Sequence, residues 1–275
     1  MKAVVAHGAG DFRLEDAPEP QLDGGAVIGV DAAGVCAADR MIYAGNSPWE
    51  LSFPFTPGHE NVGTILEIDP GSAARWGVGV GDQVVPEVMV PCGQCAMCRR
   101  ERFHLCRSGR HIGSSLPGGW AERTWLPPAA RVWRVPDGLA SSEAVVAEPL
   151  ACGIHAIERA DPQPGDALAI SGIGAIGAAG LAYVRAARPV REVVALVTSP
   201  ERAAMARKLG ADDAINVLEV DAAAELRERF DGVGPDVYVD FSGQTGSVDL
   251  GLDAVAPGGR VTLYGVYRKH ASVDW

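Results

Sequence analysis

The run Asp166-Ala167-Leu168-Ala169-Ile170 leads directly into Gly172-Ile173-Gly174-Ala175-Ile176-Gly177 and then into an alanine-rich segment reaching about Arg188. A short apolar run reads as a buried strand, the glycines as a tight turn and the alanine-rich stretch as a helix. A strand that passes straight into a helix continues most readily as a crossover to a parallel strand. In that setting G-x-G-x-x-G lets the backbone approach a pyrophosphate, which then lies at the positive N-terminal end of the helix. A tight turn that binds nothing has the same spacing, but the flanking strand and helix favour the nucleotide.

The alternation goes on: strand Glu192–Val197, helix Pro200–Leu209, strand Ala214–Val217, helix Ala222–Arg229, then strands Asp236–Asp240 and Arg260–Gly265. A doubly wound parallel sheet of the Rossmann kind is expected over 151–275. Gly172, Ile173, Gly174, Ala175, Ile176 and Gly177 are its cofactor-binding candidates, with Gly265 at the end of the last strand. An NAD site has an acid about 20 residues after the glycines, on the ribose 2′-hydroxyl. Here the second strand ends Val197-Thr198-Ser199-Pro200-Glu201-Arg202. The missing acid, with Ser199 and Arg202 nearby, leans toward NADP over NAD. Arg202 facing solvent, or neutralised by Glu201, would weaken that preference.

Residues 1–150 have a different texture. Lys2–Ala6, Ala26–Ala32, Gly63–Ile68, Gln83–Pro86 and Arg131–Val135 are short β-rich pieces separated by Gly, Pro and Asp, the pattern of an irregular β-barrel. Four of the six cysteines, Cys92, Cys95, Cys98 and Cys106, follow C-x2-C-x2-C-x7-C. Four thiolates fill a tetrahedral Zn²⁺ and leave no place for water, so such a site pins a loop and does no chemistry. Disulfides are disfavoured because no secretory signal is legible at the N-terminus and cytosolic thiols stay reduced. An iron–sulfur run would place its last cysteine nearer and follow it with proline, whereas Arg107 follows Cys106.

Three further fragments carry metal-ligating types: Cys36 after the apolar stretch Val27–Val35, Gly58-His59-Glu60 after a proline turn, and Glu148-Pro149-Leu150 ahead of the helix-like Ala151–Ala160. Each alone is weak, since a lone cysteine is commonly a small buried hydrophobe. Together, one thiolate, one imidazole and one or two carboxylates make a zinc site with room for water or substrate. The net charge of −11 argues against nucleic acid as a partner, and no apolar run approaches the ~20 residues of a membrane span. A cytoplasmic location is expected.

These pieces resemble the zinc-dependent medium-chain dehydrogenase/reductases, among them the alcohol, sorbitol, threonine and glucose dehydrogenases. The likeness covers residues 1–265: Gly58-His59-Glu60 with Gly63, Gly81-Asp82-Gln83-Val84, the cysteine lobe, Gly118-Gly119-Trp120-Ala121-Glu122, Glu148-Pro149-Leu150, the nucleotide glycines, Leu209-Gly210-Ala211-Asp212 and Pro257-Gly258-Gly259-Arg260. The resemblance implies a GroES-like catalytic domain, a catalytic zinc on Cys36 and His59 with Glu60 and Glu148 as exchanging acids, and Asp39 orienting the histidine. It implies, besides, a structural zinc, NAD(P), a small-molecule secondary alcohol or ketone of the polyol, sugar or cyclitol kind, and a homo-dimer or homo-tetramer.

Two departures stand out. Ala38 occupies the place of a Ser or Thr that begins the family's proton relay, leaving water, Tyr43 or a carboxylate to take over. Family members also run on past Gly265-Val266, so either a naturally short member or a truncated sequence is expected, with a sheet edge that another subunit or a different pairing would need to cover. A catalytically impaired nucleotide-binding or scaffold protein, and a zinc-free alkene or quinone reductase, are the competing readings.

Overall fold

Hydrophobic alternation, hairpin turns and one long pairing build the first half. In the structure, a computed structural model that describes residues 1–267, the chain divides into two units, Met1–Glu148 and Pro149 onward. In the first, β1 (Lys2–Gly8) and β2 (Asp11–Asp16) form a hairpin. Then come β3 (Ala26–Ala33), α1 (Ala37–Tyr43), β4 (Asn61–Ile68), α2 (Pro70–Trp76), β5 (Gln83–Pro86), the short pair β6 (Met89–Val90) and β7 (Arg110–His111), β8 (Arg123–Leu126), β9 (Val132–Arg134) and α3 (Ser141–Ala144). Five of these make an antiparallel sheet in the order β8-β3-β4-β5-β9. Ile28, Ile65, Val84 and Leu126 are fully or almost fully buried at its centre, each contributing about 1.5–3 kcal/mol of transfer free energy.

All five strands expected in this half are present. The hairpin strand β2 was not legible because Asp11, Arg13, Glu15 and Asp16 outnumber its two apolar residues, of which Phe12 packs on Ala6, Ile42 and Phe55 while Leu14 points to solvent at 73% exposure. Backbone pairing to β1 holds it in place.

Helix α4 (Ala147–Ala160) carries the chain into the second unit. There follow β10 (Ala167–Ser171), α5 (Ala175–Ala187), β11 (Glu192–Val197), α6 (Pro200–Lys208), β12 (Asp213–Asn216), α7 (Ala222–Arg229), β13 (Val237–Asp240), α8 (Thr245–Ala254) and β14 (Arg260–Leu263). The strands are all parallel, in the order β12-β11-β10-β13-β14. Odd and even residues serve opposite faces, as the pleat requires. Leu168 and Ile170 join Val193, Ala195, Val237 and Val239 beneath one set of helices. Ala167 and Ala169 join Val194, Leu196 and Tyr238 beneath Leu226 and Ala254.

Helix α8 escapes the sequence reading. Its two glycines depress helix propensity, but Gly251 is required by packing: a Cβ there would stand 2.5 Å from the ring of the fully buried Tyr238. The expectation of an open edge beyond Val266 falls partly on residues 268–275, outside the described residues.

Candidate metal centres and nucleotide pocket

Antiparallel pairing of Ala33 with Asn61 puts the exit of β3 and the entry of β4 at one end of the sheet. The residues just beyond β3 and just before β4 are therefore neighbours. That is why Cys36 meets His59 and Glu60: one ligand-type atom from each lies within 4.8 Å of the others. Ligands held 2.0–2.3 Å from a shared zinc lie about 3.3–3.8 Å apart at tetrahedral angles, so about an ångström of closure suffices. A thiolate, an imidazole and a carboxylate form a donor set suited to zinc.

The electrostatics favour a cation. Burial pushes the Cys36 thiol up to about 11; the backbone N–H of Ala38 opposes this, and the negative charges of Glu60, Asp39 and Glu148 add to it. Burial is also the main cause that raises Glu60, followed by the charge of Glu148. Asp39, 3% exposed, is raised by burial against the lowering effects of the Cys36 N–H and of His59. Such a crowd of acids facing one imidazole is stabilised by a divalent ion.

Asp39 serves both loops. Its Oδ2 accepts from the Cys36 N–H at 2.8 Å, fixing the start of α1. Its Oδ1 lies 3.9 Å from His59 Nδ1, ion-pair range rather than a hydrogen bond. Glu148, in the first turn of α4, acts on Cys36 and Glu60 through its charge but stands outside the three-residue cluster.

Gly34 matters as well, since a Cβ there would lie 1.9 Å from Glu60 Oε2. Tyr43 closes α1 about 10 Å along the helix axis from Cys36 and packs edge-on against Phe12. His111 was not singled out from the sequence. Its pKa is lowered by burial and by the nearby charge of His59, and Gly113 of the same turn packs on the backbone of Gly58. The sequence signal for it, a His-Ile-Gly step, is too short to be specific.

The four-cysteine lobe is assembled on its own. Sγ separations are 3.9 Å for Cys92–Cys98, 3.5 Å for Cys95–Cys98 and 3.8 Å for Cys95–Cys106. Four sulfurs each 2.3 Å from one zinc would stand about 3.8 Å apart, whereas a disulfide needs about 2.05 Å. All four therefore fit a single ion. The backbone N–H of Cys98 lowers the Cys95 thiol to about 6, while burial pushes the Cys98 thiol up to about 12.

In the second unit a cavity of about 740 Å³ opens at the carboxyl ends of β10, β11 and β13. Strand order reverses there, which is where such sheets bind ligands. Gly172 takes φ +86°, and a Cβ on it would collide with Ser242 N at 2.6 Å, so only glycine fits that turn. Gly174 stands at the N-cap of α5 with open space around it. Gly177 lets α5 close on the carbonyl of Gly172.

Val197, Thr198 and Arg202 line the wall, and among the described residues no carboxylate does. Arg202 reaches back to donate from Nη1 to the Ile173 carbonyl at 2.9 Å. Glu201 is held below the usual carboxylate range mainly by the Ser199 hydroxyl. Ser199 caps α6 and is not among the cavity-lining residues. Gly265 lies against Gly243 and donates to the Asp240 carbonyl at 3.1 Å, also away from the lining.

A family model described as alcohol dehydrogenase GroES-like domain matches residues 22–137, and one described as zinc-binding dehydrogenase matches residues 175–275. The erythritol/L-threitol dehydrogenase of Mycolicibacterium smegmatis is 39% identical, the match covering 100% of this chain and 79% of that protein. The chain belongs to the zinc-dependent medium-chain dehydrogenase/reductases. Another relative in the family, the sorbitol dehydrogenase of Bacillus subtilis, is 32% identical over 97% of this chain and 75% of its own length. A zinc-binding dehydrogenase of Sinorhizobium meliloti 1021, solved with NADP, superposes with a TM-score of 0.90 at 26% identity, covering 100% of this chain and 79% of that one. As a medium-chain dehydrogenase/reductase the chain is an oxidoreductase of the alcohol dehydrogenase type. Among the described residues no helix is long and apolar enough to cross a membrane.

Proposed function

We propose that this dehydrogenase interconverts a secondary alcohol and its ketone with NADP, the alcohol being a polyol, sugar or cyclitol. Cys36 and His59 would hold the catalytic zinc, with Glu60 and Glu148 as the acids that exchange with water there, while Cys92, Cys95, Cys98 and Cys106 would hold a structural one. The observation that carries this reading is the meeting of Cys36, His59 and Glu60 within 4.8 Å. Zinc bound there supplies Lewis-acid chemistry, polarising the substrate oxygen and easing loss of the alcohol proton.

The chain's own residues do the rest. Asp39 ties the Cys36 backbone and stands beside the His59 ring, so both ligands keep their orientation. With alanine at position 38 the alcohol proton has no hydroxyl to pass to. His111, an exposed imidazole close enough to His59 to feel its charge, is the group we assign to accept it. The second unit holds the nucleotide whose nicotinamide accepts the hydride.

NADP is favoured because the cavity has Arg202 and no acid on the wall where an NAD site keeps a carboxylate. The polyol class is favoured by the relatives named for erythritol, L-threitol and sorbitol. Ala38 favours a second reading, a nucleotide-binding protein without turnover.

The test combines zinc analysis with reduction of NADP and NAD across a panel of four- to six-carbon polyols. Two zinc ions per chain and NADP-dependent turnover are expected, with Cys36→Ala and His59→Ala abolishing turnover while leaving NADP affinity unchanged. Full activity in either variant would overturn the zinc reading. Two zinc ions with no turnover on any polyol or ketone would favour the second.

A further inference from the structure

Two loops carry Cys36, His59 and Glu60, and a single indole touches both. The Trp120 Nε1–H donates to the carbonyl of Gly34 at 2.9 Å, two residues before Cys36. The same ring lies on Gly58, the residue before His59: a Cβ at Gly58 would stand 2.4 Å from Trp120 Cδ1 and 2.9 Å from its Nε1. Gly58 has φ +95°, so both its backbone shape and its lack of a side chain are matched to the ring.

The backbone around Trp120 is fastened at the same places. Gly118 N–H donates to the Thr56 carbonyl at 2.8 Å, Gly119 N–H to Gly58 at 2.9 Å and Trp120 N–H to Pro57 at 3.0 Å. The Trp120 carbonyl accepts from Val4 N–H at 2.7 Å, anchoring the segment to β1. Beyond the β3–β4 ladder, the loops are linked by the bond from Gly34 N–H to the Glu60 carbonyl, 2.8 Å, and by Asp39, which faces both. The indole adds a further, separate point of contact.

We propose that Trp120 is a positioning residue for the open metal site: bonded to Gly34 and seated on Gly58, its indole sets the spacing between the Cys36 loop and the His59–Glu60 loop. The proposal rests on the reading of that cluster as a zinc site. Groups that orient ligands from outside the coordination sphere typically change metal affinity by about 10–100-fold when removed.

The experiment measures zinc affinity by chelator competition, and the visible absorption of the cobalt-substituted protein, for wild type and two replacements of Trp120. Trp120→Phe loses the donor and part of the bulk. Replacement by benzothienylalanine keeps the bicyclic shape and loses only the N–H. Trp120→Phe should weaken zinc at the open site by tenfold or more and shift the cobalt bands, with the four-cysteine lobe still loaded. The isostere should fall between the two proteins, which a role in filling space alone would not produce.

Wild-type affinity and cobalt spectrum in both folded variants would overturn the proposal. So would loss of both metals together in the isostere, which would make Trp120 a residue of the fold only. A wild-type protein that takes up metal only at the four cysteines would instead overturn the zinc reading itself, and the proposal with it.

Discussion

Asp240 offers the sharpest test of how the nucleotide cavity is built. Its carboxylate is fully buried at the end of β13 and accepts five hydrogen bonds. Oδ1 takes Ser242 N at 3.1 Å, Ser242 Oγ at 2.6 Å and Ser247 Oγ at 2.6 Å. Oδ2 takes Gly243 N at 3.2 Å and Tyr267 Oη at 2.5 Å. In Asp240→Asn the hydroxyls can rotate to suit an amide, but main-chain N–H groups cannot. Whichever way the amide turns, either Ser242 N or Gly243 N must face an NH₂.

One bond is therefore lost outright, costing about 1–3 kcal/mol, and the other four fall from charge-assisted to neutral strength, about 0.5–1 kcal/mol each. Relief of the buried charge offsets part of that sum. We expect a net loss of about 3 kcal/mol, read as a lower thermal midpoint by roughly 10 °C for a unit of this size. Ser242 lines the cavity, so NADP affinity should fall in the same variant. Circular dichroism melts and NADP titration of the full chain measure both. A variant within 0.5 kcal/mol of wild type, with unchanged affinity, would refute the view that this carboxylate organises the cavity floor.

Two further outcomes follow from other sites. Zinc must displace the Cys36 proton, which burial holds with a pKa of about 11, so open-site affinity measured against a chelator should rise about tenfold per pH unit through the neutral range; a flat profile would contradict the buried thiol. Gly251→Ala should destabilise by up to about 2 kcal/mol in urea titrations, because overpacking of about 1–3 kcal/mol against Tyr238 outweighs the gain of about 1 kcal/mol in helix propensity; a stabilised variant would show that α8 can shift away from the ring.

How far the chain can be read in advance varies with the range of the interaction. β10, its glycine turn and α5 were legible because strand, turn and helix propensities act over a few neighbours. The cysteine lobe was legible for the same reason, its four thiols lying within fifteen residues. Helix α8 was hidden, since the glycine that weakens it locally is selected by Tyr238 from another element. Trp120 was visible only as part of the Gly118-Gly119-Trp120-Ala121-Glu122 motif, with no role attached, because its partners Gly34 and Gly58 lie more than fifty residues away and have no side chains to mark them.

Residue order alone determined the two-part architecture, the parallel sheet and the four-thiol cluster, which depend on periodicity and short-range spacing, and its motifs carried the resemblance to the family. Tertiary structure decided that Cys36, His59 and Glu60 meet within 4.8 Å while Glu148 stands outside that cluster, and that Asp39 serves the Cys36 loop first. The physical reason is the β3–β4 register: pairing Ala33 with Asn61 brings distant loops to one sheet end, and a register shift of one residue would turn the same side chains to the opposite face.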